Sequence, residues 1–200
     1  MSDDRVDRRR RRFLTGLTGG VGAAGAVAAA VPFVSSMTPS ERAKAQGAPV
    51  EIDISDLKPG EMKVEEWRGK PVWVLRRTAE MLATLADLGA AVSDPNSERS
   101  EQPQYTRNEH RSIKPELLVL LGVCTHLGCA PLEKFAVGGA SDLGDDWRGG
   151  FFCPCHGSKF DLAGRVYKNV PAPTNLPIPP YSFVDENKII VGVDPGEEIA

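Results

Sequence analysis

Histidine and cysteine are scarce in this chain of 200 residues, which holds three of the first and four of the second. Scarcity makes position informative. Cys124, Cys129, Cys153 and Cys155 fall in one short stretch, with His126 and His156 beside them. So few cysteines exclude a disulfide-dense mini-protein, and their clustering points to one local site. The length allows one globular unit with an appendage and excludes a large multidomain enzyme. Basic charge is also lacking where most of the chain lies. Residues 1–12 carry six Arg against three Asp, a net of +3; taking these from totals of 24 basic and 27 acidic residues leaves 18 and 24, a net of -6 over 13–200. That deficit argues against nucleic acid as a partner of the main body.

Phe13 to Met37 holds no charge, and these 25 residues, at about 1.5 Å each, can cross a hydrocarbon core of about 30 Å. The stretch is mild, diluted by five Gly and six Ala. Arg10-Arg11-Arg12-Phe13-Leu14 resembles the twin-arginine export signal, whose apolar stretch is typically weaker than that of ordinary secretory signals. Arginines before the span and a net-acidic body after it predict residues 1–12 in the cytoplasm, 13–37 as a single-pass anchor and the body in the periplasm. Ala43-Lys44-Ala45 has the small-x-small pattern of a cleavage site, but it lies well beyond the apolar run, so retention of the anchor is expected. Residues 38–49 are rich in small side chains and read as a flexible tether.

From Val50 the apolar period shortens to that of strands: Val50 to Ile54, Glu61 to Trp67 and Pro71 to Arg76. Thr78 is placed to cap a helix over Ala79 to Leu88, which Gly89 ends. Ser93 to Pro115 is polar and turn-rich and reads as a surface loop, with His110 a solvated loop histidine. Leu117 to Val123 reads as a buried strand feeding into Cys124, while Tyr181 to Val184 and Lys188 to Val193 form a closing hairpin. The insert between these strands contains every cysteine.

That insert carries Cys124-Thr125-His126-Leu127-Gly128-Cys129 and Cys153-Pro154-Cys155-His156-Gly157-Ser158. Each box offers a thiolate, an imidazole and one further cysteine. One thiolate and one imidazole from each make a four-ligand metal site. Two cysteines are then left over, and in an oxidising compartment they are expected to pair and bridge the two loops. Zinc also fits the count, although zinc modules usually group like ligands and have no use for spare cysteines. A zinc-stabilised periplasmic interaction module therefore stands as the alternative of a different class.

CTHLGC followed by CPCHGS resembles the two signature boxes of the Rieske 2Fe-2S proteins. The likeness covers most of the chain: the anchor, the tether, PVWVLRRT at 71–78, SIKPELLVLLGV at 112–123 and VPAPTNL at 170–176 are similar to the Rieske subunits of bacterial quinol:cytochrome c oxidoreductases, the cytochrome bc complexes. The resemblance implies a mainly β protein, with an antiparallel β-sandwich head over 50–200, a small cluster-binding β subdomain at about 118–180, and one N-terminal transmembrane helix in the bacterial inner membrane. It implies one Rieske-type 2Fe-2S cluster, with Cys124 and Cys153 on the buried iron, His126 and His156 on the outer iron, and a Cys129–Cys155 disulfide. Ser158 would donate to a bridging sulfide, Leu127 and Gly128 would form the exposed tip, and Pro171 would belong to a proline loop covering the cluster. Two histidines in place of two thiolates leave the cluster less negative, so it accepts an electron at a higher potential.

By the same resemblance the chain would take one electron from quinol, with a proton passing to His156, and give the electron to the c-type cytochrome. His126 would titrate with His156 as a coupled pair. The implied partners are quinol, cytochrome b and the c-type cytochrome, in a dimeric complex. A Rieske subunit of another exported enzyme, such as arsenite oxidase, shares the export signal and both boxes; ring-hydroxylating oxygenases would need a mononuclear iron domain for which no residues remain. Two departures from the family pattern are Val170, where Gly is frequent, and Phe160, where a Tyr often bonds a ligand thiolate. Phe160→Tyr is expected to raise the cluster's potential, by about 60 mV for each tenfold preference of the new hydroxyl for the reduced form. A redox titration showing no change or a fall would contradict this.

Overall fold

The computed structural model describes residues 7–40, 43 and 47–197. Asp3, Asp4, Arg5 and part of the 38–49 tether lie outside the described residues. Two units divide the chain, up to Ala45 and from Gln46 onward.

The first unit contains helix α1, Arg8–Ser35. It starts before the uncharged run because Asp7 caps it: the carboxylate accepts from the Arg9 amide at 2.9 Å and the Arg10 amide at 3.2 Å. The five arginines from Arg8 to Arg12 thus occupy its first turns rather than an extended leader. Its 28 residues span about 42 Å. The best 18-residue window has a mean hydropathy of 1.7, so the helix is long and apolar enough to cross a membrane. The helix ends at Ser35, two residues short of the uncharged run.

The second unit is mainly β. Strands β1 (Val50–Asp53), β2 (Met62–Trp67), β3 (Lys70–Arg76) and β4 (Leu117–Leu121) precede the insert, with helix α2 (Ala79–Asp87) between β3 and β4. The insert contributes β5 (Leu132–Lys134), β6 (Gly150–Cys153) and β7 (Ser158–Phe160), and β8 (Tyr181–Phe183) and β9 (Lys188–Val191) close the chain. All pairings are antiparallel, in three sheets ordered β1-β9-β8, β2-β3-β4 and β5-β6-β7.

One contiguous core joins the three sheets. Ile52, Ile189 and Val191 supply it from the first; Val72, Val74, Leu118 and Leu120 from the second; Phe151, Cys153 and Phe160 from the third. β4 is buried along its whole length, as its unbroken apolar run requires. Trp73 on β3 stacks on Phe151 of β6, with ring centroids 4.9 Å apart, and so fixes the insert's sheet to the scaffold. Thr78 caps α2 by accepting from the Met81 amide at 3.2 Å.

The segment from Ser93 to Pro115 departs from its reading as a solvated loop. Asp94, Ser97, Ser100, Thr106, Arg111 and Ser112 are buried in it. Burial alone would raise the Asp94 carboxyl, but the Ser100 hydroxyl and the Glu98 and Arg99 amides donate to it and hold it below its ordinary value. Arg111 is fully buried, and burial pushes its guanidinium down to about 9, still protonated at neutral pH. His110 is only partly exposed, with Nε2 3.1 Å from Glu109 Oε1 and Nδ1 buried. Polar side chains are tolerated inside here because nearly every donor has an acceptor.

Trp73→Ala is expected to destabilise the head by about 3–5 kcal/mol, since it removes a buried indole and its stacking partner's contact. Urea unfolding of the head should show this; a loss below about 1 kcal/mol would mean that the insert is held by other contacts.

Candidate metal centre

Both boxes are tight loops launched from buried strands. The first leaves β4 and is closed at its neck by Cys124 N–H donating to Cys129 O at 2.8 Å. The second is the turn between β6 and β7, where Cys153 and Ser158 face each other in register. Each turns back on its leading cysteine in the same way: Gly128 N–H donates to Cys124 O at 3.0 Å, and Gly157 N–H donates to Cys153 O at 2.9 Å. Both glycines have left-handed backbones, φ 82° and 78°, which is why glycine occupies the fifth position of each box.

The loops are cross-linked to one another. Cys129 and Cys155 form a disulfide with Cα atoms 6.7 Å apart, while Cys124 and Cys153 are free and buried. The sulfurs of Cys129, Cys153 and Cys155 lie within 4.8 Å of one another, but two of the three are committed to the disulfide and cannot serve as thiolate ligands. The rings of His126 and His156 meet edge to face, with centroids 4.7 Å apart. His156 is exposed, His126 half-buried, and Leu127 at the tip of the first loop is 71% exposed with Gly128 open beside it.

The site therefore has a polarity, with two free thiols on its inner side and two imidazoles toward solvent. Burial pushes the Cys124 thiol above its ordinary value and the neighbouring Cys153 adds to this, against the His126 amide and the Ser158 hydroxyl, which favour the thiolate. Ser158 is fully buried; its oxygen accepts from Ala172 N–H at 3.0 Å, leaving its own proton to donate toward sulfur.

Two hydrogen bonds tie the segment 170–174 to both boxes. One is the Ala172 bond to Ser158; in the other, Thr125 Oγ1 donates to Thr174 O at 2.7 Å. Pro171 and Pro173 are exposed and Ala172 is buried between them, so the backbone of the loop, rather than the Pro171 ring, makes these ties. The contribution of Thr125 is missed by the sequence reading although it lies inside the first box, because nothing in its spacing marks a hydroxyl that reaches forty-nine positions along the chain.

These residues fit a metal–sulfur group. His126 Nδ1 is buried with no hydrogen-bond partner among the described residues, as expected of a nitrogen aimed at a metal rather than at protein. Two free cysteines and two histidines from two cross-linked loops offer the mix of thiolate and imidazole donors that a Rieske-type cluster would take. Replacing Cys129 and Cys155 together by Ser should lower the head's stability by about 3 kcal/mol, the chain-entropy value for so long a loop. Thermal unfolding of the two forms measures it; equal midpoints would show that the bridge is not needed to hold the loops.

Comparison with known proteins places the chain in a family. Residues 49–180 match the family described as Rieske [2Fe-2S] domain, and residues 1–40 match the one described as ubiquitinol-cytochrome C reductase Fe-S subunit TAT signal. The chain is 56% identical over 196 residues to the ubiquinol-cytochrome c reductase iron-sulfur subunit of Allochromatium vinosum, covering 98% of this chain and 94% of that protein. It is 45% identical over 196 residues to the subunit of the same name from Blastochloris viridis, covering 96% and 97%. Among solved structures, a chain of a hyperthermophilic respiratory Complex III is similar at 29% identity with a TM-score of 0.46, covering 88% of this chain and 99% of that one. With its two boxes, its disulfide and near full-length relatives at this identity, the chain belongs to the Rieske [2Fe-2S] family of ubiquinol-cytochrome c reductase iron-sulfur subunits.

Proposed function

We propose that the chain is the electron-transfer subunit of a bacterial quinol:cytochrome c oxidoreductase, taking one electron from quinol and passing it to the c-type cytochrome of a dimeric complex. The observation that carries this reading is the convergence of two free buried cysteines and two facing histidines across the Cys129–Cys155 bridge. A 2Fe-2S cluster, held by Cys124 and Cys153 from the inner side and by His126 and His156 from the outer side, supplies one-electron chemistry at a higher potential than four thiolates would give.

The chain's own groups prepare that chemistry. Thr125, Ser158 and the 170–174 loop exclude water from the inner side, where unscreened charge acts most strongly. Exposed His156 presents its ring to the partner surface, where its outer nitrogen orients a quinol hydroxyl and accepts the proton that leaves it. Leu127 and Gly128 present a small apolar tip for docking against cytochrome b. The apolar helix holds the head at the inner membrane, with the arginines of its first turns on the cytoplasmic side and the head in the periplasm. Residues 38–49 serve as the tether on which the head moves between quinol site and cytochrome.

The match of residues 1–40 to the signal of the ubiquinol reductase subunit favours this reading over an arsenite-oxidase subunit. Low-temperature EPR of isolated membranes separates the two. The cluster signal should shift when a quinol-site inhibitor is added; an unshifted signal would place the cluster away from any quinol site.

A further inference from the structure

The proline loop has a second attachment at its far end, made mainly by the segment 93–111. Asn175 follows Thr174 directly and is fully buried. Its side-chain nitrogen donates to Asp94 O at 2.9 Å and Ser97 Oγ at 3.0 Å, and its amide donates to Ser100 Oγ at 3.1 Å. Its side-chain Oδ1 accepts from Val166 N–H at 2.9 Å. Ser100 in turn donates to Asp94 Oδ2 at 2.6 Å, so the acceptor that Asn175 uses is itself held in place.

One residue further on, Arg111 repeats the attachment. Its Nη2 donates to Leu176 O, its Nη1 to Ala163 O, both at 2.9 Å, and its Nε to Gln102 Oε1 at 2.7 Å. This guanidinium spans three parts of the chain: the 93–111 segment, the loop that follows β7, and the exit of the proline loop. Its own backbone is left-handed, φ 52°, a conformation that a side chain of this size rarely adopts. Such strain persists only where surrounding bonds over-determine it. A surface loop has no reason to bury a cation in a strained conformation. A clamp that must reach three carbonyl and amide oxygens has one.

The geometry points to Asn175, Ser100 and Arg111 as positioning residues of the cluster site, which fasten the far end of the proline loop so that Ala172 and Thr174 stay against Ser158 and Thr125. They act through that loop and touch neither box in any hydrogen bond of the described residues. The role rests on the cluster reading above, but the clamp can be measured without it.

The test uses the full-length, cluster-loaded protein and two variants. Ser100→Ala deletes the acceptor of the Asn175 amide and the donor to Asp94, whereas Ser100→Thr keeps an oxygen there. Hydrogen exchange should accelerate about tenfold at the amides of Ala172 and Asn175 in Ser100→Ala, with Val74 and Val119 in the scaffold sheet unchanged, and return toward wild type in Ser100→Thr. The cluster's reduction potential should shift in the same variant and recover in the other. Arg111→Lys, which keeps the charge but cannot fork to Ala163 O, Leu176 O and Gln102 together, should reproduce the local acceleration. Unchanged exchange at 172 and 175, uniform acceleration across the head, or faster exchange with no shift in potential would each overturn the assignment. A wild-type protein without a Rieske EPR signal would instead remove the cluster reading, an outcome the exchange data do not mimic.

Discussion

Cys124 and Cys153 reach the site from strands of different sheets, β4 and β6, and everything the site can do depends on holding those two ends side by side. Backbone hydrogen bonds alone shape each loop without joining it to the other. The joining is done by the Cys129–Cys155 bridge outside, by the Trp73–Phe151 stack inside, and by the 170–174 loop bonded to both boxes. With these in place, the free thiols fall on the buried side and the imidazoles on the exposed side. This asymmetry separates the two requirements of a proton-coupled electron carrier. On the proposed reading, the cysteine sulfurs would bind where water is excluded and the imidazoles would face the partner.

The buried charges follow from the same need for fixed geometry. Arg77, Arg111 and Arg165 lie inside the head with Asp161, and only Arg165 is directly paired with that carboxylate, at 2.6 Å. Arg77 reaches backbone oxygens at Pro115, His110 and Leu162, and Arg111 reaches those at Ala163 and Leu176. Burying charge adds little net stability. What these forks add is definition: each fastens irregular backbone after β7 or before β4, where no ladder can do so. The loops at the cluster site therefore stand on a base as determined as a sheet.

Much of this was legible from residues. The boxes announced themselves because cysteine and histidine are rare in the chain, and the strands β1, β3 and β4 follow from alternation or from an unbroken apolar run. The helix α1 was legible as a span but not in its bounds, because the cap at Asp7 is a local hydrogen-bonding choice that hydropathy does not see. The segment 93–115 departs from what its composition suggests for a more general reason. Serines, an aspartate and an arginine read as solvent-facing, and they are buried here because the fold supplies partners as far as eighty-one positions away, as Asn175 meets Asp94. Composition records the polarity of a group, whereas burial depends on whether the fold supplies its partner.

The central claim is that two imidazoles, one from each box, complete the ligand set. The chain has three histidines, so a His110→Gln protein labelled with 15N only in histidine carries label at His126 and His156 alone. Pulsed EPR of its reduced state should then show two strongly coupled 15N nuclei from two separate rings. A spectrum with one coupled ring or none would contradict the account.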